Sequence, residues 1–143
     1  MKTIGILNGP NLNRLGKREP EIYGNETLHD LEKDLKGIAN SIDCSLIFFQ
    51  SNNEGELIDK IYELADAGCN GLIFNPAAYT HTSIALRDTI SGCGLPTIEV
   101  HISNIHKRET FRHSSMLAPV CIGSIAGLGL NGYTYALQHL ASL

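Results

Sequence analysis

TIGILNGPNLNRLGKREPEIYG, residues 3–24, decides how the rest of the chain is read. Its first part, TIGILN (3–8), is apolar and β-branched, as suits a strand in a covered sheet. From there through residue 27 run nearly twenty residues with no clear element of their own. A loop that long inside a compact domain is usually functional or disordered. This one carries Asn8, Asn11, Arg14, Arg18 and Tyr23, and Pro10 and Pro20 stiffen it, so the spacing predicts a lid at about 8–26. Lys17, Glu19 and Glu21 read as solvated charges.

Working outward, the chain holds four more strand-like runs: DCSLIFFQS (43–51), GLIFNP (71–76), LPTIEVHIS (95–103) and APVCIGSIAG (118–127). Helical patterns separate them. Thr27 is a candidate N-cap before Leu28, Leu31, Leu35 and Ile38 at helical spacing. Asn53 or Glu54 opens a second helix, with Leu57, Ile58, Ile61 and Leu64 on one face and Gly68 as its stop. TSIALRDTISGCG comes after Thr80 and His81, and GYTYALQHLASL closes the chain. This alternation predicts an α/β fold, a flavodoxin-like doubly wound sheet of five parallel strands in the order 2-1-3-4-5. In such sheets ligands bind beyond the carboxyl ends of the strands, at the switch point.

The totals narrow the function. The 143 residues fit one domain, 1–143, and 43% hydrophobic content supplies one core. A formal net charge of −4 argues against nucleic acid as a partner. No run is long enough for a signal segment or a membrane span, so the expectation is a cytoplasmic protein. Cys44, Cys69, Cys93 and Cys121 are widely spaced, and the histidines show no ligand spacing with them, so neither a metal nor a disulfide is expected.

Three strand ends carry chemistry-bearing residues. The first has the loop. The third has Asn75, with His81 close behind. The fourth has Glu99 and His101, two apart and therefore on one face of the strand. A carboxylate beside an imidazole orients the ring and favours its cation, which is how a general acid is prepared. Each residue alone has a bland reading: a turn asparagine, a histidine near a cap, a structural ion pair. Their convergence on the predicted crevice points to acid–base work on a polar small molecule, with a non-catalytic binding module of the same fold as the alternative. GLGLNG (127–132) matches a dinucleotide fingerprint, but the chain ends before the required acidic residue. NGPNLN lacks the hydroxyls of a flavin phosphate loop, and Asn8 and Asn75 stand where a phospho-acceptor domain needs acids.

Taken together, NGPNLNRLGKREPEIYG, NPAAYTHTSIALRD, EVHISNIHKRETFRHSS and GLGLNGY resemble the type II 3-dehydroquinate dehydratases over almost the whole chain. The resemblance implies a lyase that converts 3-dehydroquinate to 3-dehydroshikimate by anti elimination through an enolate, without cofactor. Its setting would be the third step of the shikimate pathway, and so aromatic amino acid biosynthesis, or quinate catabolism. It implies a homo-oligomer, a dodecamer of four trimers. Carried residue by residue, Tyr23 is similar to the family's base and Arg18 to the group that keeps it ionised. His101 matches the general acid, with Glu99 as partner. Asn11 resembles the group that steadies the enolate through a water. Asn75, His81, Ile102, Ser103 and Arg112 match substrate-binding positions, and Asp88 a residue that reaches a neighbouring subunit's site.

The chemistry suits these types. A free tyrosine, with a pKa of about 10, is almost wholly protonated at neutral pH, so a tyrosine base needs a cation beside it. Arginine suits because it stays charged, and Arg18 is the nearest on the same loop. Arg112 and the backbone amides of Ile102 and Ser103 suit a carboxylate.

Overall fold

A computed structural model describes all 143 residues. Five strands, β1 (Lys2–Asn8), β2 (Cys44–Gln50), β3 (Gly71–Asn75), β4 (Thr97–His101) and β5 (Gly123–Ala126), form one parallel sheet in the order β2-β1-β3-β4-β5. This is the expected flavodoxin-like topology. The crossovers carry a short helix α1 (Pro20–Tyr23), then α2 (Leu28–Ser41), α3 (Glu54–Asp66), α4 (Ile84–Cys93) and, after β5, α5 (Asn131–Ala141).

Side chains alternate along each strand, so the sheet has two apolar faces. Ile4, Ile6, Ile73, Ile98 and Val100 meet Leu31 and Leu35 of α2 and Tyr133, Leu137 and Leu140 of α5. Leu7, Leu72 and Phe74 meet Leu57, Ile61 and Leu64 of α3 and Leu86 and Ile90 of α4. Burial on both faces explains why the strands read as apolar runs. No helix is long and apolar enough to cross a membrane.

The caps agree with the sequence. Thr27 accepts from the Asp30 N–H while the Asp30 carboxylate accepts from the Thr27 N–H, a capping box that starts α2. Asn53 caps α3 through the Glu56 N–H. The third helix starts later than its pattern suggests. A 3₁₀ turn takes Ala77–His81, and Ser83 then caps α4 through the Leu86 N–H.

Two segments differ from expectation. The fifth run shrinks to β5, because its proline sits in a 3₁₀ turn, Ala118–Val120. The long loop after β1 is not featureless: it holds a 3₁₀ turn, Leu12–Arg14, and α1, with Pro20 at the first helical position, where its missing N–H costs nothing. Leu12 and Leu15 are buried in the core and pin the first half of this loop. Its neck closes at Gly16, whose φ of +88° suits glycine and whose added Cβ would lie 2.8 Å from the Asn25 carbonyl oxygen.

Candidate active site

The carboxyl ends of β1 and β3 touch. The Gly9 N–H donates to the Asn75 carbonyl at 2.8 Å, and a Cβ on Gly9 would sit 2.5 Å from the Pro76 carbonyl oxygen. Only glycine permits this approach, which brings the root of the long loop against the turn after β3. The same root is fastened to β2. Gln50 donates to the Gly9 carbonyl at 3.1 Å, and the Asn11 N–H donates to Asn52 Oδ1 at 2.9 Å. Asn11 itself adopts the left-handed region, with φ of 70°, which asparagine tolerates better than most residues.

Beneath this junction lies a buried polar triad. The Tyr133 hydroxyl donates to Asn8 Oδ1 at 2.5 Å and accepts from Asn75 Nδ2 at 2.9 Å. Burial pushes the Tyr133 phenol up, against the bond from Asn75, so it remains a donor at neutral pH. Asn75 Oδ1 accepts from the Ala77 N–H at 3.1 Å. Asn8 and Asn75 end the two central strands, and one phenol from α5 holds both.

Above it a cavity opens, lined among others by Asn11, Arg18, Tyr23, Asn75, His81, His101, Ile102, Ser103, Arg108 and Arg112. All the sequence-selected residues except Glu99 and Asp88 thus meet in one place. Glu99 lies behind His101. Asp88 is exposed on α4 and does not line the cavity of its own chain.

Glu99 and His101 share the face of β4 that looks toward α4. Their carboxylate oxygen and Nε2 lie 3.2 Å apart, with side chains 1% and 6% exposed. The ring N–H is misaligned for a hydrogen bond even though the distance fits an ion pair. Burial pushes the Glu99 carboxyl up, but His101, together with hydrogen bonds from Ser115 and Ser124, outweighs it and holds the group below the usual glutamate range. The carboxylate is therefore ionised behind the imidazole. His101 turns Nε2 to Glu99, and the residue lines the cavity. His81 stacks at 6.5 Å between ring centroids. Its Nδ1 lies 2.8 Å from the Ser114 carbonyl, which can only accept. Nδ1 therefore carries the proton, and a neutral His81 offers Nε2 as an acceptor.

Tyr23 is where sequence reasoning fell short. Arg18 lies over its ring at 5.4 Å from guanidinium carbon to centroid, and Arg108 lies over it at 5.4 Å as well. The hydrogen bond to the phenol oxygen comes from Arg108, at 2.8 Å, not from Arg18. Arg108 also reaches Ser103 at 3.4 Å. It stands in the stretch HKRETFRHSS, yet 85 residues separate it from Tyr23, so no local spacing could have paired them. Glu19, read as solvated, pairs with Arg18 at 3.4 Å and has φ of +42°, uncommon for a residue with a side chain. Arg112 is engaged by Glu109 at 3.1 Å.

The four cysteines are free thiols, and no three His, Cys, Asp or Glu side chains are placed to share a metal ion.

Comparison with known proteins gives the family. A family model described as dehydroquinase class II matches residues 2–141. The 3-dehydroquinate dehydratase of Bacillus pumilus is 59% identical over 96% of this chain and 92% of its own length. That of Endomicrobium trichonymphae is 54% identical over 100% and 99%. The crystal structure of type II dehydroquinase from Butyrivibrio crossotus superposes with a TM-score of 0.96 at 46% identity, covering 97% of both chains. That from Propionibacterium acnes gives 0.96 at 43%, over 100% and 98%.

Proposed function

Because the chain belongs to the class II dehydroquinase family, and is with its relatives a 3-dehydroquinate dehydratase, we propose that it removes water by an anti elimination through an enolate, with Tyr23 as base and His101 as acid. The observation that carries this reading is the Tyr23 hydroxyl, held at 2.8 Å by Arg108 and lining the same cavity as His101.

The proton to be removed lies next to the substrate's ketone. Tyr23, acting as its phenolate, takes it, with the Arg108 guanidinium at the oxygen and that of Arg18 over the ring. Charge then develops on the ketone oxygen. Asn11, acting through a water, offers the dipole that meets it. As the double bond forms, the carbon–oxygen bond to the hydroxyl on the far side breaks, and His101 gives that hydroxyl its proton, so water leaves. The ionised Glu99 behind the ring supports the imidazolium that this step requires. Tyr23 ends protonated and His101 neutral, and exchange with solvent resets both.

Binding divides among the remaining groups. His81 accepts from a substrate hydroxyl through Nε2, and Asn75 contributes at the strand end. Arg112 and the backbone amides of Ile102 and Ser103 take the carboxylate. The lid carries base and Arg18 together, so its closure assembles the catalytic set and excludes water.

The same reading includes the pathway step, the third of the shikimate route or its counterpart in quinate breakdown, in the cytoplasm. It also includes a homo-oligomer, a dodecamer of four trimers. Asp88 supports assembly: exposed on α4 and outside its own cavity, it is free to reach a neighbour's.

The test uses 3-dehydroquinate carrying deuterium stereospecifically beside the ketone, with product followed by the ultraviolet absorbance of its conjugated enone. Anti elimination removes the label only from the face opposite the hydroxyl. Loss from the hydroxyl's own face would overturn the mechanism, and no enone at high protein concentration would favour a binding module.

A further inference from the structure

The base and acid occupy one cavity, but what holds the acid lies in the connection between β4 and β5. Glu99 is 1% exposed and must point one oxygen at His101 to be of use. Its Oε1 accepts from the Ser115 hydroxyl at 2.6 Å, and its Oε2, the atom near His101, accepts from Ser124 at 3.3 Å.

Ser115 is a directed donor. Its oxygen accepts the N–H of Leu117 at 3.1 Å and of Ala118 at 3.0 Å. A hydroxyl has two lone pairs and one hydrogen. With both lone pairs used by backbone, its hydrogen goes to Glu99. The donor is thereby fixed by the turn, not free to rotate. Ser124, on the edge strand and at longer range, is the weaker hold.

The same turn serves the second histidine. The Ser114 carbonyl fixes the His81 tautomer, and the Met116 N–H donates to the Thr80 carbonyl at 2.7 Å, tying the turn to the residue before His81. Leu117 anchors it in the core against α3 and α4. One segment, 114–118, thus sets both stacked imidazoles.

We propose that Ser115 is a positioning residue for the elimination, locking the Glu99 carboxylate so that Glu99 holds His101 in its proton-donating orientation. This rests on the reading of His101 as the acid. Ser115 is not within hydrogen-bond reach of His101 and does not line the cavity, so it acts only through Glu99.

The test is a cycle with four enzymes: wild type, S115A, E99Q and the double variant, each assayed for kcat and KM with thermal unfolding alongside. A hydrogen bond to a buried charge predicts a kcat loss of about tenfold or more for S115A, with KM within about threefold. S115T, which keeps the hydroxyl, restores kcat. In the E99Q background the same change costs less than about threefold, because the group it acts through is already gone. If S115A does not fold, S115C, of similar size and a weak donor, carries the same expectations. A folded S115A or S115C with wild-type kcat overturns the proposal, and so does an equal loss with and without Glu99. H101Q separates the two levels: wild-type kcat there overturns the acid assignment, whereas a large loss there beside an unaffected S115A overturns only the role of Ser115.

Discussion

Removing Arg108 tests the most specific feature of the site. Its Nη1 lies 2.8 Å from the Tyr23 oxygen, and its guanidinium carbon 5.4 Å from the ring centroid. Its side chain is 15% exposed, so solvent screens it only partly. A hydrogen bond to a charged group contributes about 1.5–3 kcal/mol, and 1.36 kcal/mol is tenfold in rate, so Arg108→Ala should lower kcat by roughly 10- to 150-fold. Arg108→Lys keeps the charge but loses the guanidinium Nη1 that reaches both Tyr23 and Ser103, and should fall between wild type and Ala. Steady-state enone formation across a substrate series gives kcat and KM separately. A loss confined to KM would make Arg108 a binding residue only. A kcat within about threefold of wild type would refute the claim that this contact sustains the base.

Tyr133→Phe strands Asn8 Oδ1 and Asn75 Nδ2 in the interior, where each unsatisfied group costs about 1–3 kcal/mol, so the variant should lose about 2–6 kcal/mol in urea unfolding. An unchanged midpoint would remove the triad from the stability account. Glu99 titrates below its unfolded value, so its contribution is present above the ordinary glutamate pKa and is lost as pH falls through the folded one. Thermal stability of wild type should therefore drop on acidification below about pH 4.5, and Glu99→Gln should show a shallower acid limb. Parallel limbs would contradict it. Burial, then the charge of Glu99 and the neighbouring Cys93, pushes the Cys121 thiol up to about 12. Cys121 should resist a thiol reagent at pH 8 until the protein unfolds. Rapid labelling of native protein at that position would refute the environment described.

The fold was legible because sheet burial writes itself into the chain. Strands covered on both faces must be apolar throughout, and helices between them must show one apolar stripe, so GLIFN and the Leu57, Ile61, Leu64 face could hardly be read otherwise. Thr27 and Asn53 marked helix starts through their own side chains. The shortened β5 was less legible, because APVC is apolar without being paired. At the site, Glu99 and His101 were readable as a pair because strand period alone joins them. Arg108 and Ser115 were not, since only tertiary packing brings them to Tyr23 and Glu99. The Tyr133 hydroxyl gave no sequence signal of the two asparagines it joins. α1 was hidden because its four residues, PEIY, are too few for any periodicity.

The central claim is that Tyr23 is the base, and Tyr23→Phe tests it most directly. The ring and its contacts with Arg18 and Arg108 can remain, while the only oxygen that could take the proton is gone. Single-turnover mixing with 3-dehydroquinate, paired with calorimetric binding of the same substrate, should show binding largely retained and enone formation nearly abolished. Wild-type-like turnover by the folded variant would contradict the account.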